Sequence, residues 1–375
     1  MKTTKNLSAN QILEGDLSYI ESSLKDEFKQ LKGKHVMITG GAGFLGYYLV
    51  QALIYSNSRS DNGAPIHVTV YDNFMRGLPD WLSDLRDNPN LDLVRHDITN
   101  PLPDPDIHFD YIIHAASIAS PIFYRMYPLE TMDANVNGLR YLLEYAKDQK
   151  EAGTPLDGFL FYSTSEIYGD PIPSMIPTPE TYRGNVSCTG PRACYDESKR
   201  YGETLCVTYA SQYGLPITIA RPFNNYGPGL KITDRRVIPD FMKDILEGRD
   251  IVMLSDGSPS RTFCYIADAI CGYFKILVNG RPGEPYNIGV EAPEISVLEL
   301  AEKIVQIARE YVGYNGKVVR KESDDKDYLV DNPNRRCPII RKAEEELGYS
   351  PTISLEEGLK RNLLWYKDNQ VAEEA

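Results

Sequence analysis

Two short runs of the sequence carry side chains that are able to do acid–base chemistry on a hydroxyl group. Tyr195 and Lys199 are four positions apart, a spacing that places both on one face of a helix. A phenol with a pKa of about 10 is a poor base at neutral pH, and a nearby ammonium group lowers that pKa. Upstream, Thr164, Ser165 and Glu166 follow an apolar run that is typical of a buried strand. Because ligands bind at the carboxyl ends of strands in a doubly wound sheet, we expect all five side chains at one catalytic site.

A glycine-rich loop precedes these runs and indicates a binding site for a dinucleotide. Gly40, Gly43 and Gly46 have the spacing GxxGxxG directly after the apolar run 35–39 (HVMIT). Glycine allows the backbone to turn sharply and to approach a pyrophosphate closely. A helix that opens at Phe44 and Leu45 would point its free N–H groups and the positive end of its dipole at the phosphates. We therefore expect the backbone of this loop to hold the cofactor's diphosphate.

Residues at the ends of the next two predicted strands indicate which dinucleotide binds. Asp72, followed by Asn73, lies 26 positions beyond the last of these glycines. A carboxylate at this place accepts hydrogen bonds from the adenosine ribose and repels a 2′-phosphate, which predicts NAD rather than NADP. Arg76 weakens that preference slightly. Asp97 and Ile98 end the third predicted strand, where we expect them to contact the adenine.

The elements that position these residues alternate along the chain. We predict strands over 35–39, 66–71, 91–95, 111–114, 158–162 and 217–220. We predict helices over 44–56, 128–147 and 193–213, an amphipathic helical lead-in within 1–32, and a loop over 56–65. This alternation predicts an α/β fold, a Rossmann-type doubly wound parallel sheet with a smaller, interleaved C-terminal α/β part. The predicted units are the lead-in (1–32), an NAD-binding Rossmann domain (33–222, with a later segment near 262–275) and a mostly substrate-binding part (223–375).

Composition excludes several classes of protein. The 375 residues carry a net charge of −13, so we expect neither nucleic acid nor an anionic membrane as a partner. No apolar run approaches the roughly 18 residues of a membrane span. No apolar segment of the kind found in signal peptides follows Lys2 and Lys5, and we expect a cytoplasmic protein. The six cysteines form no CxxC pair and the five histidines show no metal-ligand spacing, which predicts reduced thiols and no metal site.

Longer motifs resemble a known family, the extended short-chain dehydrogenases. They are the glycine loop, Asp72, and the runs 162–170 (YSTSEIYGD), 191–200 (PRACYDESKR) and 221–228 (RPFNNYGP). The run at 191–200 is especially similar to UDP-glucuronate decarboxylases (UDP-xylose synthases). So are the runs 72–74 (DNF), 96–97 (HD) and 117–121 (SIASP), together with Tyr124. The resemblance covers about residues 34–365.

The resemblance implies a closed redox cycle in which UDP-glucuronate becomes UDP-xylose, or its 4-keto intermediate. Tyr195 would take the proton of the sugar 4-hydroxyl while a hydride passes to NAD⁺, and the resulting β-keto acid would lose carbon dioxide. Thr164 would hydrogen-bond the 4-oxygen, with Ser165 assisting. Glu166 would orient the ring or help to protonate it. Lys199 would tune Tyr195 and bind the nicotinamide ribose.

The resemblance also implies substrate-binding residues and a quaternary structure. Arg261 matches the family's active-site arginine near the carboxylate, and Asn224, Arg236 and Arg336 match positions that hold the nucleotide diphosphate. The planar fork of arginine suits phosphate oxygens. For each of these arginines taken alone a surface salt bridge is the commoner explanation, and its position in the motif is what favours binding. Ser120 and Tyr124 lie in the loop expected on the sugar side. Analogy predicts a homodimer through the helices at 193–213 and 128–147.

Departures from the family pattern lie mostly on the substrate side and leave alternatives open. Gly229 and Leu230 stand where the family has an arginine after Gly-Pro, 336–339 reads RCPI, and Ile118 replaces a proline. The alternatives are a nucleotide-sugar 4,6-dehydratase and then a 4-epimerase. Many dehydratases carry an acid where this chain has Ser165. The intact Thr164, Tyr195 and Lys199 argue against a non-enzymatic binding protein.

Overall fold

The computed structural model describes residues 7–59, 63–322 and 330–369. The strands within these ranges are β1 (His35–Thr39), β2 (His67–Asp72), β3 (Leu91–Arg95), β4 (Tyr111–His114), β5 (Gly158–Tyr162), β6 (Ile217–Pro222), β7 (Asn225–Tyr226), β8 (Ile251–Met253), β9 (Ser260–Arg261), β10 (Cys264–Tyr265), β11 (Pro285–Ile288), β12 (Ile295–Ser296), β13 (Val318–Arg320) and β14 (Arg335–Arg336).

The helices are α1 (Ala9–Ser23), α2 (Lys25–Leu31), α3 (Phe44–Arg59), α4 (Asp80–Asp84), α5 (Pro121–Met126), α6 (Pro128–Asp133), α7 (Leu139–Glu151), α8 (Ala193–Tyr213), α9 (Val237–Leu246), α10 (Ile266–Asn279), α11 (Val297–Val312), α12 (Arg341–Leu347) and α13 (Leu355–Asn369). Two 3₁₀ helices (Ser165–Tyr168 and Pro173–Met175) and one π-helical segment (Ala134–Gly138) complete the helical elements of the described residues. No helix among them is long and apolar enough to cross a membrane.

Seven parallel strands form the central sheet in the order β11-β6-β5-β4-β1-β2-β3. The chain runs outward from β1 through β2 to β3 and then returns to β4 on the other side of β1. This reversal is a topological switch point, and in sheets of this kind ligands bind in the crevice beyond the carboxyl ends of the strands that flank it. The carboxyl ends of β1 and β4 therefore mark the expected site.

Both faces of the sheet are buried. Successive side chains of a strand point to opposite faces, and each face packs into its own hydrophobic cluster. In β1, Val36 and Ile38 pack into one hydrophobic cluster and Met37 packs into the other. In β5, Leu160 lies in the first cluster and Phe159 in the second. Helices cover the two faces, and the predicted doubly wound parallel sheet is thereby confirmed.

The seventh strand was not predicted from the sequence. β11 pairs in parallel with β6 at the edge of the sheet and lies in the range that we assigned mostly to substrate binding. Its four residues read PYNI, and Pro285 and Asn287 break the apolar pattern of a buried strand. Proline is tolerated at the first position of an edge strand, where its missing N–H costs no ladder hydrogen bond.

Two other expectations need correction. The segment 56–65, interpreted as a loop, begins inside α3, which continues to Arg59; residues 60–62 lie outside the described residues. The single helix expected over 128–147 is divided into α6, the π-helical segment and α7, which ends at Glu151. A π turn adds one residue to a helical turn and leaves the chain helical. The sequence pattern therefore continues through 134–138 and gives no sign of the division.

The helical lead-in forms α1 and α2, with residues 1–6 outside the described part of the chain. Asp16 of α1 is buried and accepts hydrogen bonds of 2.6 Å from the hydroxyl groups of Tyr48 and Tyr265. It also forms an ion pair of 2.6 Å with Arg361. The carboxylate of Asp16 thus ties α1 to α3, β10 and α13, so that the lead-in is part of the folded body.

Within the described residues, the C-terminal half of the chain forms three small sheets outside the seven-stranded sheet. β14 pairs in parallel with β9 and places Arg336 opposite Arg261. β9 also pairs with β12, and β7 pairs with β10. These short pairings bring two arginines, 75 positions apart in the sequence, to the same edge of the catalytic site.

Candidate active site

The glycine loop joins β1 to α3 and passes close to the end of β4. Gly40 has a φ of +71°, and a side-chain carbon at this position would lie 2.6 Å from the Cα atom of Ala116. Helix α3 begins at Phe44 and has no acidic residue in its first turn, so no carboxylate there competes for its N-terminal N–H groups. The loop fits the pyrophosphate of NAD, which its backbone would hold through Gly40, Gly43, Phe44, Leu45 and Gly46.

The carboxylate of Asp72 is fixed beside this loop. It accepts hydrogen bonds from the backbone N–H groups of Ala42 (3.0 Å) and Phe74 (2.8 Å). Burial raises the pKa of Asp72, and these two hydrogen bonds oppose that increase. Arg76 turns away toward Asp234, with 3.4 Å between its Nη1 atom and a carboxylate oxygen. Asp72 is therefore placed to receive ribose hydroxyl groups, and Arg76 is engaged elsewhere.

Asp97, Asn73 and Ile98 lie together at the end of β3. Asp97 accepts hydrogen bonds from the backbone and hydroxyl of Thr99 and from the side chain of Asn73. Burial raises the pKa of Asp97, but these hydrogen bonds lower it by more. Ile98 is buried against Gly138, where a side-chain carbon would lie 2.9 Å from its Cγ2 atom. The geometry fits an adenine bounded by an apolar and a carboxylate side chain.

Tyr195, Lys199 and Thr164 converge at the carboxyl end of β5. Thr164 caps the 3₁₀ helix that follows β5 and makes a side-chain hydrogen bond to Tyr195. Lys199 lies one turn beyond Tyr195 on α8 and donates a hydrogen bond of 2.7 Å to the carbonyl oxygen of Tyr162. Ser165 is buried next to Thr164. The structure thus brings the predicted hydroxyl and ammonium groups to one place.

The electrostatics of this pair differ from the sequence-based expectation. Burial raises the pKa of Tyr195 to about 12, against the opposing effects of its hydrogen bond to Thr164 and of the charge on Arg236. Burial also lowers the pKa of Lys199 to about 7. In the protein without its ligands, burial therefore outweighs the effects that lower the phenol pKa, and the lowering expected from Lys199 together with the cationic nicotinamide of NAD stays a prediction.

Glu166 is held between two guanidinium groups. Its Oε2 atom lies 2.5 Å from Nη2 of Arg192 and 2.5 Å from Nη2 of Arg336. Burial raises the pKa of Glu166, but Arg192, Arg336 and Arg261 lower it by more, to about 2. Glu166 is therefore an anion at neutral pH that can orient a ligand or accept a proton, and it has no proton to give.

Arg261 completes a cluster with more positive than negative charge. Its guanidinium group donates hydrogen bonds to the carbonyl oxygens of Ser260, Pro333 and Asn334. Burial and the charge of Arg336 lower the pKa of Arg261 to about 9. Buried like charges destabilise one another unless an anion joins them, so this cluster is suited to bind a carboxylate or a phosphate.

Of the remaining predicted substrate residues, Tyr124 packs directly on Tyr195, and Ser120, Arg236 and Asn224 bind other parts of the chain. Tyr124 stacks on Tyr195 with 5.0 Å between ring centres and 9° between ring planes. Ser120 donates a hydrogen bond of 2.8 Å to the carbonyl oxygen of Asp234, whose carboxylate lies 2.7 Å from Arg236. Asn224 has a φ of +42° and donates a hydrogen bond to the carbonyl oxygen of Thr262.

Two residues next to Glu166 and Tyr195 were missed in the sequence analysis. Arg192 and Asp196 lie at the start of α8 within the run PRACYDESKR, which was noted only for its resemblance. The sequence did contain a signal for them. Arg192 and Asp196 are four positions apart, a spacing that predicts an ion pair on the helix that also carries Tyr195. Their relation to Glu166 is invisible in the sequence, since Glu166 is 26 positions away from Arg192.

The fold and the site together define a short-chain dehydrogenase/reductase, with a Rossmann sheet, a glycine loop and a Thr–Tyr–Lys constellation. The sequence matches the NAD dependent epimerase/dehydratase family over residues 36–289. The chain belongs to this family, whose cofactor is NAD.

Curated relatives extend the match to most of the chain. UDP-glucuronic acid decarboxylase 5 of Arabidopsis thaliana is 39% identical over 324 residues, which are 86% of this chain and 86% of that protein. UDP-glucuronic acid decarboxylase 1 of Xenopus tropicalis is 36% identical over 334 residues, which are 89% of this chain and 72% of the relative.

Solved structures share the fold at lower identity. UDP-glucose 4-epimerase of Thermotoga maritima with UDP-glucose superposes with a TM-score of 0.74 at 26% identity, covering 90% of this chain and 99% of that chain. dTDP-glucose 4,6-dehydratase of Streptomyces venezuelae with NAD bound also gives 0.74, at 28% identity, with 90% and 98% covered. These enzymes represent the two alternative reactions considered from the sequence.

Replacing Asp72 with Ala should weaken the binding of NAD by roughly tenfold or more, because hydrogen bonds to a charged group contribute about 1.5–3 kcal/mol. The affinity for NADP should change less or increase, since the carboxylate that repels the 2′-phosphate is gone. Calorimetric titration of both nucleotides measures the ratio. Asp80→Ala, an exposed acid on α4, is the matched control. An unchanged NAD/NADP ratio would contradict the role given to Asp72.

Proposed function

We propose that the protein catalyses the NAD-dependent decarboxylation of a nucleotide-linked uronic acid, with UDP-glucuronate as the substrate and UDP-xylose or its 4-keto intermediate as the product. The names of its curated relatives support this reaction. When bound, NAD⁺ supplies reversible oxidation at C4 of the sugar. The residues of the chain bind and orient the sugar and move its protons.

Tyr195 and Thr164 act together on the 4-oxygen of the sugar. The Tyr195 oxygen takes the proton of the 4-hydroxyl during oxidation and gives it back in the final reduction. Thr164, already hydrogen-bonded to Tyr195, donates to the same sugar oxygen and fixes its position. Lys199 would hold the nicotinamide ribose and, when charged, would favour the phenolate form of Tyr195. Ser165 assists Thr164.

The carboxylate end of the sugar meets the arginine cluster. Once C4 is a ketone, the C5 carboxylate belongs to a β-keto acid. The C5–C6 bond breaks to release carbon dioxide, and its electron pair forms an enolate that then takes a proton from water at C5. Arg261 holds the carboxylate before it leaves. Glu166, kept ionised by its arginines, orients the ring. Asn224, Arg236 and Arg336 hold the diphosphate, with Ser120 and Tyr124 beside the sugar.

The surplus of buried guanidinium groups next to Thr164 is the observation that carries this proposal. Arg192, Arg261 and Arg336 outnumber the two buried carboxylates of this cluster, Glu166 and Asp196, and burial with mutual repulsion lowers the pKa of Arg261. Every nucleotide sugar brings its diphosphate to the site, whereas a uronic acid also brings a carboxylate to these arginines. A 4,6-dehydratase would need an acid to protonate the departing 6-hydroxyl, and Glu166 is not protonated at neutral pH.

Mass spectrometry of the protein incubated with UDP-glucuronate and NAD⁺ tests the reaction. We expect a product lighter than the substrate by one carbon dioxide, and the oxidation state of that product shows whether the cycle closes. UDP-glucose is the matched neutral substrate. Loss of water from a neutral nucleotide hexose, with UDP-glucuronate unchanged, would identify a dehydratase, and inversion at C4 alone would identify an epimerase.

We further propose a cytoplasmic location and the division of the chain into lead-in, NAD-binding and substrate-binding parts. All six cysteines are free thiols, which is typical of a reducing compartment. The lead-in covers one side of the NAD-binding part through Asp16, and residues 223–375 supply most of the substrate arginines. The sheet strand β11 and helix α10 belong with the NAD-binding part although they lie late in the chain.

A homodimer through α7 and α8 is also proposed. Tyr141, Tyr201 and Val207 are large hydrophobic side chains that are exposed on these two helices. Val207→Glu should shift the protein to monomers at micromolar concentration, because a buried interface does not tolerate an unpaired charge. Light scattering after gel filtration measures the mass, with Leu298→Glu on α11 as the matched control. A wild-type monomer would refute the dimer.

A further inference from the structure

Two buried carboxylates share one arginine at the start of α8. Arg192 lies 2.5 Å from Glu166 through its Nη2 atom and 3.6 Å from Asp196 through its Nε atom. The Arg192 guanidinium group also lies 5.9 Å above the ring of Tyr124, which stacks on Tyr195. Arg192 is therefore part of the wall of the active site, and any change in its position alters its ion pair with Glu166.

Of the two carboxylates, Asp196 has the weaker contact with Arg192 and an oxygen atom without a hydrogen-bond partner in the described residues. Its side chain is buried, with 4% of the residue exposed, and its Oδ1 atom has no hydrogen-bond partner in the described part of the chain. The Nε atom of Arg192 also lacks a hydrogen bond within the described residues, so the contact to Asp196 is an ion pair without a hydrogen bond. Nothing in the proposed reaction uses Asp196, although it is one residue from Tyr195.

The charged and titratable groups around Asp196 come from four elements. Glu166 faces it from the 3₁₀ helix, Arg336 from β14, Tyr124 from α5, and Arg192, Cys194 and Tyr195 from its own helix or the residue that caps it. Burial and repulsion by Glu166 raise the pKa of Asp196 to about 7, against the opposing charges of Arg192 and Arg336. Asp196 therefore changes charge near neutral pH, while Glu166 stays ionised.

We propose that Asp196 is a positioning residue that competes with Glu166 for Arg192 and thereby controls the affinity of the site for an anionic sugar. When Asp196 is neutral, Arg192 is free to neutralise Glu166, and the positive charge of Arg261 and Arg336 remains available to the substrate. When Asp196 is ionised, it attracts the guanidinium group of Arg192 away from Glu166. It also adds a negative charge close to the incoming carboxylate. The proposal rests on the proposed function, since it needs a substrate with a carboxylate in this part of the site.

The kinetic test compares the wild type with Asp196→Asn, which keeps the size of the side chain and cannot ionise. We expect the wild-type KM for UDP-glucuronate to rise by about tenfold between about pH 6 and about pH 8.5, since one pKa unit of coupling is a tenfold effect. In Asp196→Asn the KM should stay nearly constant over this range, and the pH profile of kcat should follow that of the wild type. Glu197→Gln, the same change one residue along α8 at a more exposed side chain, is the matched control and should keep the wild-type KM profile.

A second measurement needs no substrate. Because the pKa of Asp196 is raised in the folded state, its ionisation favours the unfolded chain, and the stability of the wild type should fall relative to Asp196→Asn as the pH rises from about 4 to about 8. Unfolding by urea over this range, for the wild type and the variant, measures the difference. A difference that does not depend on pH, or KM profiles that run parallel in the two proteins, would overturn the proposal.

Failure of the proposed function gives a different result. A protein that releases no carbon dioxide from UDP-glucuronate would refute the decarboxylase reaction whatever Asp196 does. Calorimetric binding of UDP-glucuronate and UDP-glucose to the NAD-loaded protein at both pH values would then decide the role of Asp196. The preference for the carboxylate should weaken with pH in the wild type and stay constant in Asp196→Asn; an equal pH effect in both proteins counts against the inference.

Discussion

Replacing Tyr195 with Phe should reduce kcat for UDP-glucuronate by about 10³-fold, because acid–base groups in this position contribute roughly 10²–10⁴-fold to the rate. The hydroxyl of Tyr195 would exchange a proton with the sugar twice in each cycle, in the oxidation and in the reduction. It is already hydrogen-bonded to Thr164, the other group proposed to hold the 4-oxygen. Steady-state release of carbon dioxide measures the loss.

The same variant should remain folded and keep its ligands. The aromatic ring at this position would still stack on Tyr124, and only one side-chain hydrogen bond, to Thr164, is removed. We therefore expect a stability within about 1 kcal/mol of the wild type and nearly unchanged binding of NAD. Tyr213→Phe, at the end of the same helix, is the matched control and should be fully active. Retention of more than roughly a tenth of the wild-type kcat would exclude Tyr195 as the proton-transfer group.

Replacing Arg221 with Met should lower the free energy of unfolding by about 3–5 kcal/mol, since it leaves a buried carboxylate without its partner. Arg221 on β6 binds Glu203 of α8 through two hydrogen bonds of 2.8 Å and 2.6 Å. It also donates to the hydroxyl of Tyr168 at 2.7 Å and to the carbonyl oxygen of Glu180 at 2.9 Å. Arg221 thereby joins β6 to α8, to the 3₁₀ helix Ser165–Tyr168 and to the segment that contains Glu180.

The Arg221→Met substitution should lower the catalytic rate as well as the stability of the fold. Glu203 accepts a hydrogen bond of 2.5 Å from Ser163, the residue before Thr164, and Tyr168 ends the 3₁₀ helix that carries Glu166. We expect kcat to fall even at temperatures where the variant is folded. Urea unfolding measures the stability, and Arg281→Met, which breaks an exposed ion pair with Glu346, should cost less than about 1 kcal/mol. Equal losses in the two variants would show that the network around Arg221 is not what stabilises this region.

The sequence alone predicted those features that depend on neighbours along the chain. The glycine loop and Asp72 follow strands directly, so strand, turn and helix fix their places as soon as the sheet forms. Tyr195 and Lys199 are one helical turn apart, and helical geometry puts them on one face wherever α8 packs. Five of the six predicted strands lie within one residue of the observed bounds, because continuous apolar runs are buried on both faces of a parallel sheet.

Only the tertiary structure decided what depends on distant parts of the chain. Arg192, Arg261 and Arg336 come from three elements and meet at Glu166, and no local spacing relates them. β11 completes the sheet with a sequence that does not resemble a buried strand. The pKa values of Tyr195, Lys199 and Asp196 are set by burial, which is a property of the packed molecule rather than of the motif. The sequence therefore predicted the groups that we propose to do the chemistry. The fold determined their charge, because desolvation and long-range contacts exist only once the chain is packed.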